Sequence, residues 1–340
     1  MNIKKNKPVI GISIGDINGV GAEVTMKALQ DSRLQKMITP VIYGHGKAIT
    51  YYRKMLDMND FNFMQIKSIE DIHHRKTNVI NVVQESPEVT PGVETREAGK
   101  MALAALDQAI VDLKADQLDA LVTAPLNKNN INSEETPFIG HTEYLTDAFE
   151  ATKSLMFMVS EDMRIGLVTG HVPLKEVVAS ITSASVKDKL KIMLKSLKED
   201  FGISKPKIAV LGVNPHAGEE GLLGLEEQEI IQPVVKDFKD KGNLVFGPYP
   251  ADGFFGMMHQ KKFDGVLAMY HDQGLVPFKT VSFDSGVNFT AGLPIIRTSP
   301  DHGTAYNIAG KNAADEGSMR AAIYLAHDII KRKGDWDLED

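Results

Sequence analysis

The chain has 340 residues, of which 43% are hydrophobic and 24% charged; it carries a formal net charge of -7 and no cysteine. That is enough apolar material for two domains of ordinary size, and the acidic balance argues against non-specific binding to nucleic acid or anionic membranes. Without cysteine there are no disulfides, no thiolate catalysis and no Cys-type zinc site, so a soft metal would have to rely on histidine. The basic start, residues 1–8, is followed by a short apolar run broken by Gly15 and Asp16. This reads as a first strand and not as a signal peptide, and no apolar run reaches membrane-spanning length. The expectation is a soluble cytoplasmic protein with no nucleic-acid or membrane partner.

Val9 to Ile14 reads as a strand buried on both faces, Gly15-Asp16-Ile17-Asn18-Gly19-Val20-Gly21 as a turn, and residues 22–29 as a helix. Strand, glycine-rich turn and helix open an α/β unit. The glycine spacing departs from the GxGxxG fingerprint, so the turn is read as a tight one that needs positive φ, with Asp16 at the strand end. Short buried strands follow at 40–44 and 79–83, with a helix over 47–56 between them. Leu103, Leu106, Ile110 and Leu113 share one face of a long helix over 95–114. The strand at 120–125 runs into Asn127 and Lys128, which suit an anion or a carbonyl and are equally at home as loop polars. Gly140-His141-Thr142-Glu143 opens a helix, with Thr142 as the expected N-cap and the helix N-terminus as an anion site.

Segments 154–159 and 163–169 form an expected hairpin, which makes part of the sheet antiparallel. A helix over 186–200 and a strand over 207–213 come next, and the acidic stretch 219–229 is expected to open a solvated helix. Val266 to Met269 is a buried strand that stops at Tyr270-His271-Asp272, with Lys279 in a loop beyond. Residues 280–289 alternate like a half-buried strand, and a closing helix runs over 317–331.

Three separate strands thus run out into a histidine: His171, His216 and His271. Open α/β sheets bind ligands beyond the carboxyl ends of their strands. Three imidazoles delivered there suit a catalytic divalent metal with an open position for substrate. A second candidate is the loop His302-Gly303-Thr304-Ala305, sharp enough to present backbone N–H groups to a nucleotide.

Taken together, Gly15-Asp-Ile-Asn-Gly-Val-Gly, Val122-Thr-Ala-Pro-Leu-Asn-Lys, Gly140-His-Thr-Glu, Gly170-His-Val-Pro-Leu, Gly212-Val-Asn-Pro-His-Ala-Gly-Glu, Tyr270-His-Asp-Gln-Gly and Ser299-Pro-Asp-His-Gly-Thr-Ala resemble the 4-hydroxythreonine-4-phosphate dehydrogenase (PdxA) family of vitamin B6 biosynthesis. The likeness covers nearly the whole chain in order. It implies an α/β fold of the two-domain isocitrate/isopropylmalate dehydrogenase kind, with mixed, mostly parallel sheets and helices on both faces. Residues 1–128 with 285–340 would form the nucleotide domain, and 129–284 the metal, substrate and dimerisation domain.

The same resemblance implies the roles. His171, His216 and His271 would hold one divalent metal per subunit (Zn, Mg, Co or Mn), in a homodimer whose shared site takes His271 from the other subunit. His141, Thr142, Lys279, Asn288 and Arg297 would bind the substrate. His302, Gly303, Thr304, Ala305 and Asn307 would contact NAD, or NADP. The reaction would be oxidation of 4-phosphooxy-L-threonine at C3, followed by decarboxylation to 3-amino-2-oxopropyl phosphate. Lys279 would act as general acid or electrostatic partner, and Asp252 or Asp272 as base or supporting carboxylate.

The chain departs from the family pattern at three places. Ile17-Asn18 stands where Pro-Ala is usual, Gly170 where Thr is usual, and Asn307 where Asp is frequent. An Asp there would repel a 2′-phosphate, so Asn307 predicts a less strict preference for NAD. Two other readings share these residues: a paralogous 4-phospho-D-threonate or 4-phospho-D-erythronate dehydrogenase, and a non-enzymatic binder of metal or phosphometabolite. Cofactor reduction on adding substrate separates the last from the others.

Overall fold

A computed structural model describes residues 7–132, 138 and 140–334; the basic start over residues 1–6 lies outside the described residues. The strands are β1 (Val9–Ser13), β2 (Thr39–Gly44), β3 (Phe63–Ile66), β4 (Thr77–Asn81), β5 (Ala120–Thr123), β6 (Leu155–Val159), β7 (Arg164–Leu167), β8 (Lys207–Leu211), β9 (Leu244–Tyr249), β10 (Gly265–Ala268), β11 (Val287–Ala291) and β12 (Arg297–Pro300). The chain divides into two compact units, Met1–Glu150 with Pro294–Asp340, and Ala151–Leu293. The expected boundaries therefore move. Residues 129–150, with His141 and Thr142, belong to the first unit, and residues 285–293, with Asn288, to the second.

In the first unit the strands lie in the order β3-β4-β2-β1-β5-β12, all parallel. Every residue of β1 is buried. Successive strand residues point to opposite faces, so the sheet is covered on both. The helix Arg96–Lys114 packs against β1, β2 and β5, and Gly317–Lys333 against β12, β5 and β1. Thr95 caps the first of these through its hydroxyl, which accepts from Ala98 N–H.

In the second unit the order is β11-β6-β7-β10-β8-β9. β11 pairs antiparallel with β6 and β6 with β7, as the hairpin spacing predicts; β7, β10, β8 and β9 are parallel. The helices Ser183–Glu199 and His271–Ser282 both pack on β10 and β7. A Cβ on Gly265 would meet Met193 at 2.7 Å, and one on Gly274 would meet Ile165 and Leu167 at 2.8 Å. Those two glycines let helix and sheet approach closely.

Three local expectations are overturned. His271 to Ser282 is a helix with Pro277 inside it, so Lys279 lies in a last helical turn and the strand begins only at Val287. The acidic stretch opens as a turn and not a solvated helix: Pro215–Gly221 is followed by Glu227–Ile231, in which Glu227 is fully buried. The helix at 141 has Gly140 at its N-cap position, and Thr142 lies inside its first turn. No helix among the described residues is long and apolar enough to cross a membrane.

Candidate active site

In the first unit, cations gather beside the end of β5. Arg297, the first residue of β12, is buried, and its guanidinium donates to Thr123 Oγ1 at 2.6 and 3.2 Å. Burial pulls its pKa down to about 9, with Glu143 acting in the opposite sense. His141 opens the helix His141–Ala148, with its ring edge-on to buried Phe138 at 6.0 Å between centroids. Burial, then the charges of Arg297 and Lys128, hold the His141 imidazole well below its ordinary pKa. Its Nε2 is buried without a hydrogen-bond partner. A neutral imidazole with one orphaned nitrogen, beside two cations at a helix N-terminus, is suited to receive an anion. Lys128, ambiguous in the sequence, thus joins the predicted pair His141 and Arg297.

The nucleotide-loop candidates lie in the same unit. Val20 N–H donates to Thr304 O at 2.9 Å, and a Cβ on Gly19 would meet that oxygen at 2.8 Å. Gly19 is therefore the residue that admits the 302–307 loop onto the glycine-rich turn. Gly15 supplies the positive φ expected of that turn, at +70°. Asp16 is fully buried; its Oδ1 accepts from Asn18 N–H (2.8 Å) and its Oδ2 from Asn130 Nδ2 (2.7 Å) and the Tyr306 hydroxyl (2.7 Å). Burial, with that bond to Asp16, raises the Tyr306 pKa. Tyr306 and Asn130 were missed in the sequence, because partners 290 and 114 residues from Asp16 leave no local pattern. His302 donates through Nδ1–H to Gly303 O (3.0 Å), its Nε2 is buried and unpartnered, and Asn307 is exposed.

In the second unit, β7, β10 and β8 are adjacent parallel strands, and beyond their ends stand His171, His271 and His216 respectively. The rings of His171 and His271 lie 5.7 Å apart between centroids. His171 and His271 are thus the two of the three histidines that the chain brings side by side. The His271 Nδ1 pairs with Asp272 Oδ1 at 2.7 Å. A carboxylate on one ring nitrogen fixes the ring and turns the other nitrogen outward, the usual support for a metal-binding imidazole. His216 heads a left-handed run, with φ of 53, 52, 81, 42 and 54° from His216 to Glu220.

Among the described residues no three His, Asp or Glu side chains gather into a group that could hold a metal. Two of the three strand-end histidines, His171 and His271, are brought together, and Asp272 pairs with His271 alone. Asp252 and Asp272 share one open hollow with Phe255, Tyr270, Gln273 and Pro277. Lys279 and Asn288 are half-buried, on the helix behind His271 and on β11.

A 4-hydroxythreonine-4-phosphate dehydrogenase of Bacteroides thetaiotaomicron is 48% identical over 332 residues, 97% of this chain and 91% of that one. The crystal structure of a 4-hydroxythreonine-4-phosphate dehydrogenase from Klebsiella pneumoniae superposes with a TM-score of 0.81 at 33% identity, covering 97% of this chain and 99% of that one. An isocitrate dehydrogenase from Methylococcus capsulatus, 12% identical, shares the fold at a TM-score of 0.51, over 96% of this chain and 86% of its own. Residues 36–326 match the family described as pyridoxal phosphate biosynthetic protein PdxA. The chain is a dehydrogenase and belongs to the PdxA family.

Proposed function

We propose that the chain oxidises 4-phosphooxy-L-threonine at C3, with NAD as acceptor and a divalent metal held by His171, His216 and His271. The observation that carries the reading is the run of three adjacent parallel strands that each end in a histidine. When bound, such a metal lowers the pKa of a chelated hydroxyl and stabilises negative charge on its oxygen. Arg297, Lys128 and His141 receive the phosphate, His141 as a neutral donor that adds no charge to be desolvated. Asp252 takes the C3 hydroxyl proton as the C3 hydride passes to the nicotinamide. Asp272 holds the His271 ring. Loss of CO2 from the resulting β-keto acid then leaves an electron pair at C2, and Lys279 delivers the proton that quenches it. The 302–307 loop, fixed to the glycine-rich turn, holds the dinucleotide.

The surface of the second unit supports assembly as a homodimer through that unit. Val276 (61% exposed), Val281 (54%) and Phe283 (68%) stand on or just after the helix that begins with His271. A second copy of the same chain would cover such exposed apolar side chains.

The test is nicotinamide reduction with 4-phosphooxy-L-threonine and with 4-phospho-D-threonate and 4-phospho-D-erythronate, each with NAD and NADP. Turnover of the first substrate at a kcat/KM at least about tenfold above the others, a difference of roughly 1.4 kcal/mol, is expected. The reverse order makes the chain a sugar-acid dehydrogenase, and no reduction with any of them removes the enzymatic reading. Asn307 carries no charge against a 2′-phosphate, so the preference for NAD should stay within about two orders of magnitude, roughly 3 kcal/mol.

A further inference from the structure

Lys128 and the 302–307 loop come from distant parts of the first unit's sequence, and one side chain joins them. Tyr306 donates its hydroxyl proton to Asp16 Oδ2 at 2.7 Å, and the same hydroxyl oxygen accepts from Asn127 Nδ2 at 3.2 Å. Asn127 directly precedes Lys128. Its Oδ1 accepts from Asn129 N–H at 2.9 Å and caps the short helix Lys128–Ile131. This amide therefore works at both ends, with its oxygen on the turn that carries Lys128 and its nitrogen on the loop. Asn130, in the same turn, returns to Asp16 Oδ2 through its Nδ2 at 2.7 Å. Asp16 and Asn130 are buried, so water does not readily replace these bonds. Burial, with the bond to Asp16, raises the Tyr306 pKa, and the hydroxyl keeps the proton it donates.

The loop is one that needs holding. Ala305, beside Tyr306, has a φ of +43°, which is left-handed for a residue with a Cβ. Such a conformation persists where its surroundings fix it. Bonds on either side do so. Thr304 O accepts from Val20 N–H at 2.9 Å, which seats the loop on the glycine-rich turn, and the Tyr306 hydroxyl ties it to Asp16 and Asn127. The His302 ring at the head of the loop keeps a buried Nε2 without a partner, an acceptor suited to a polar group of a bound dinucleotide.

Resting on the reading of this loop as the dinucleotide contact, we propose that Tyr306 is a positioning residue of the cofactor site: its hydroxyl sets the spacing between the 302–307 loop and the Lys128 turn. The anion site has supports of its own. Thr123 holds Arg297, and Asn127 Oδ1 with Asn130 holds the Lys128 turn. Loss of the Tyr306 hydroxyl therefore releases the loop and leaves the phosphate seat in place.

The test uses the full-length protein. NADH affinity is read by fluorescence titration and 4-phosphooxy-L-threonine affinity by calorimetry, each ligand alone. Tyr306→Phe keeps the ring and loses both bonds. Asn127→Ser keeps an oxygen that can cap the turn and loses the donor to Tyr306. Both variants should unfold cooperatively. Tyr306→Phe should bind NADH about tenfold more weakly, as loss of a hydrogen bond to a charged group does, and Asn127→Ser about threefold more weakly. Both should bind 4-phosphooxy-L-threonine within about twofold of the wild type, and the double variant should bind NADH no more weakly than Tyr306→Phe, because both substitutions act through one hydroxyl. Wild-type NADH affinity in Tyr306→Phe would overturn the proposal. So would an equal loss of affinity for both ligands, or failure of Tyr306→Phe to fold, since Tyr306 would then serve the fold and not the loop. Equal NADH affinity in the wild type and His302→Ala would remove the underlying loop reading, and the proposal with it.

Discussion

The two units solve opposite problems. The first buries much of its polar chemistry: Asp16 accepts from amide and hydroxyl partners and Arg297 donates to Thr123, while the Nε2 atoms of His141 and His302 are buried without a partner. The second leaves its chemistry at the rim, with His171, His216 and Asp272 exposed. Of the fourteen exposed large hydrophobics among the described residues, eleven belong to the second unit and only Tyr51, Val93 and Val111 to the first. The difference teaches that the first unit buries a cation, Arg297, and leaves a single ring nitrogen of His141 unpartnered beside it. The second unit, by contrast, leaves its strand-end histidines and most of the chain's exposed apolar side chains facing outward.

The sharpest way to break this comparison is to disarm each unit separately. His271→Ala should lower turnover by at least about a thousandfold, of the order expected when a metal's several kcal/mol of charge stabilisation is lost, and should abolish metal retention while dinucleotide binding persists. Arg297→Met should lower kcat/KM for the phosphorylated substrate by about a hundredfold, roughly 3 kcal/mol, and leave metal content unchanged. Metal analysis, fluorescence titration with NADH and steady-state kinetics read the two outcomes. If either variant loses both metal and dinucleotide, the division of labour is wrong.

A smaller effect should appear in assembly. Val276→Glu places a charge in the proposed subunit contact and should weaken dimerisation by on the order of a hundredfold, roughly 3 kcal/mol. Val111→Glu, at a comparably exposed valine of the first unit, should leave it unchanged. Sedimentation velocity across a concentration series decides; equal behaviour of the two variants would show that the apolar excess of the second unit does not serve association.

The smallest effect concerns acid. His141 is held below its ordinary pKa, so below about pH 6.5 the unfolded chain binds a proton that the native chain resists. The stability contributed by a neutral His141 is thus present above that pH and is lost as pH falls through it. Urea midpoints at pH 7.5 and 5.5 should diverge less in His141→Gln than in the wild type. An identical pH response in the two would mean that another group sets it.

Much of the fold is written in local pattern. The buried runs 9–13, 120–123 and 265–268, the long helix over 96–114 and the hairpin at 155–167 follow from periodicity and spacing. The helix His271–Ser282 does not, because Pro277 and Gly274 argue against a helix. Packing on β7 and β10 overrides both. The strand-end histidines were legible as a set because each ends a recognisable apolar run. The partners that hold their surroundings were not: Glu227 looks like one of several surface acids, and its burial depends on backbone N–H groups at 213 and 214. Lys128 was visible but ambiguous until Arg297 and His141 were found beside it in the fold.

The left-handed run from His216 to Glu220 has a consequence for how the sequence can change over time. Ala217, Glu219 and Glu220 hold a conformation that costs an L-residue roughly 1–2 kcal/mol each and glycine almost nothing. Glycine at these positions should therefore relieve local strain, against the general rule that it loosens a chain. It would also free the turn that carries a histidine whose direction matters. Selection for stability and selection for turnover would then pull this short segment toward different residues.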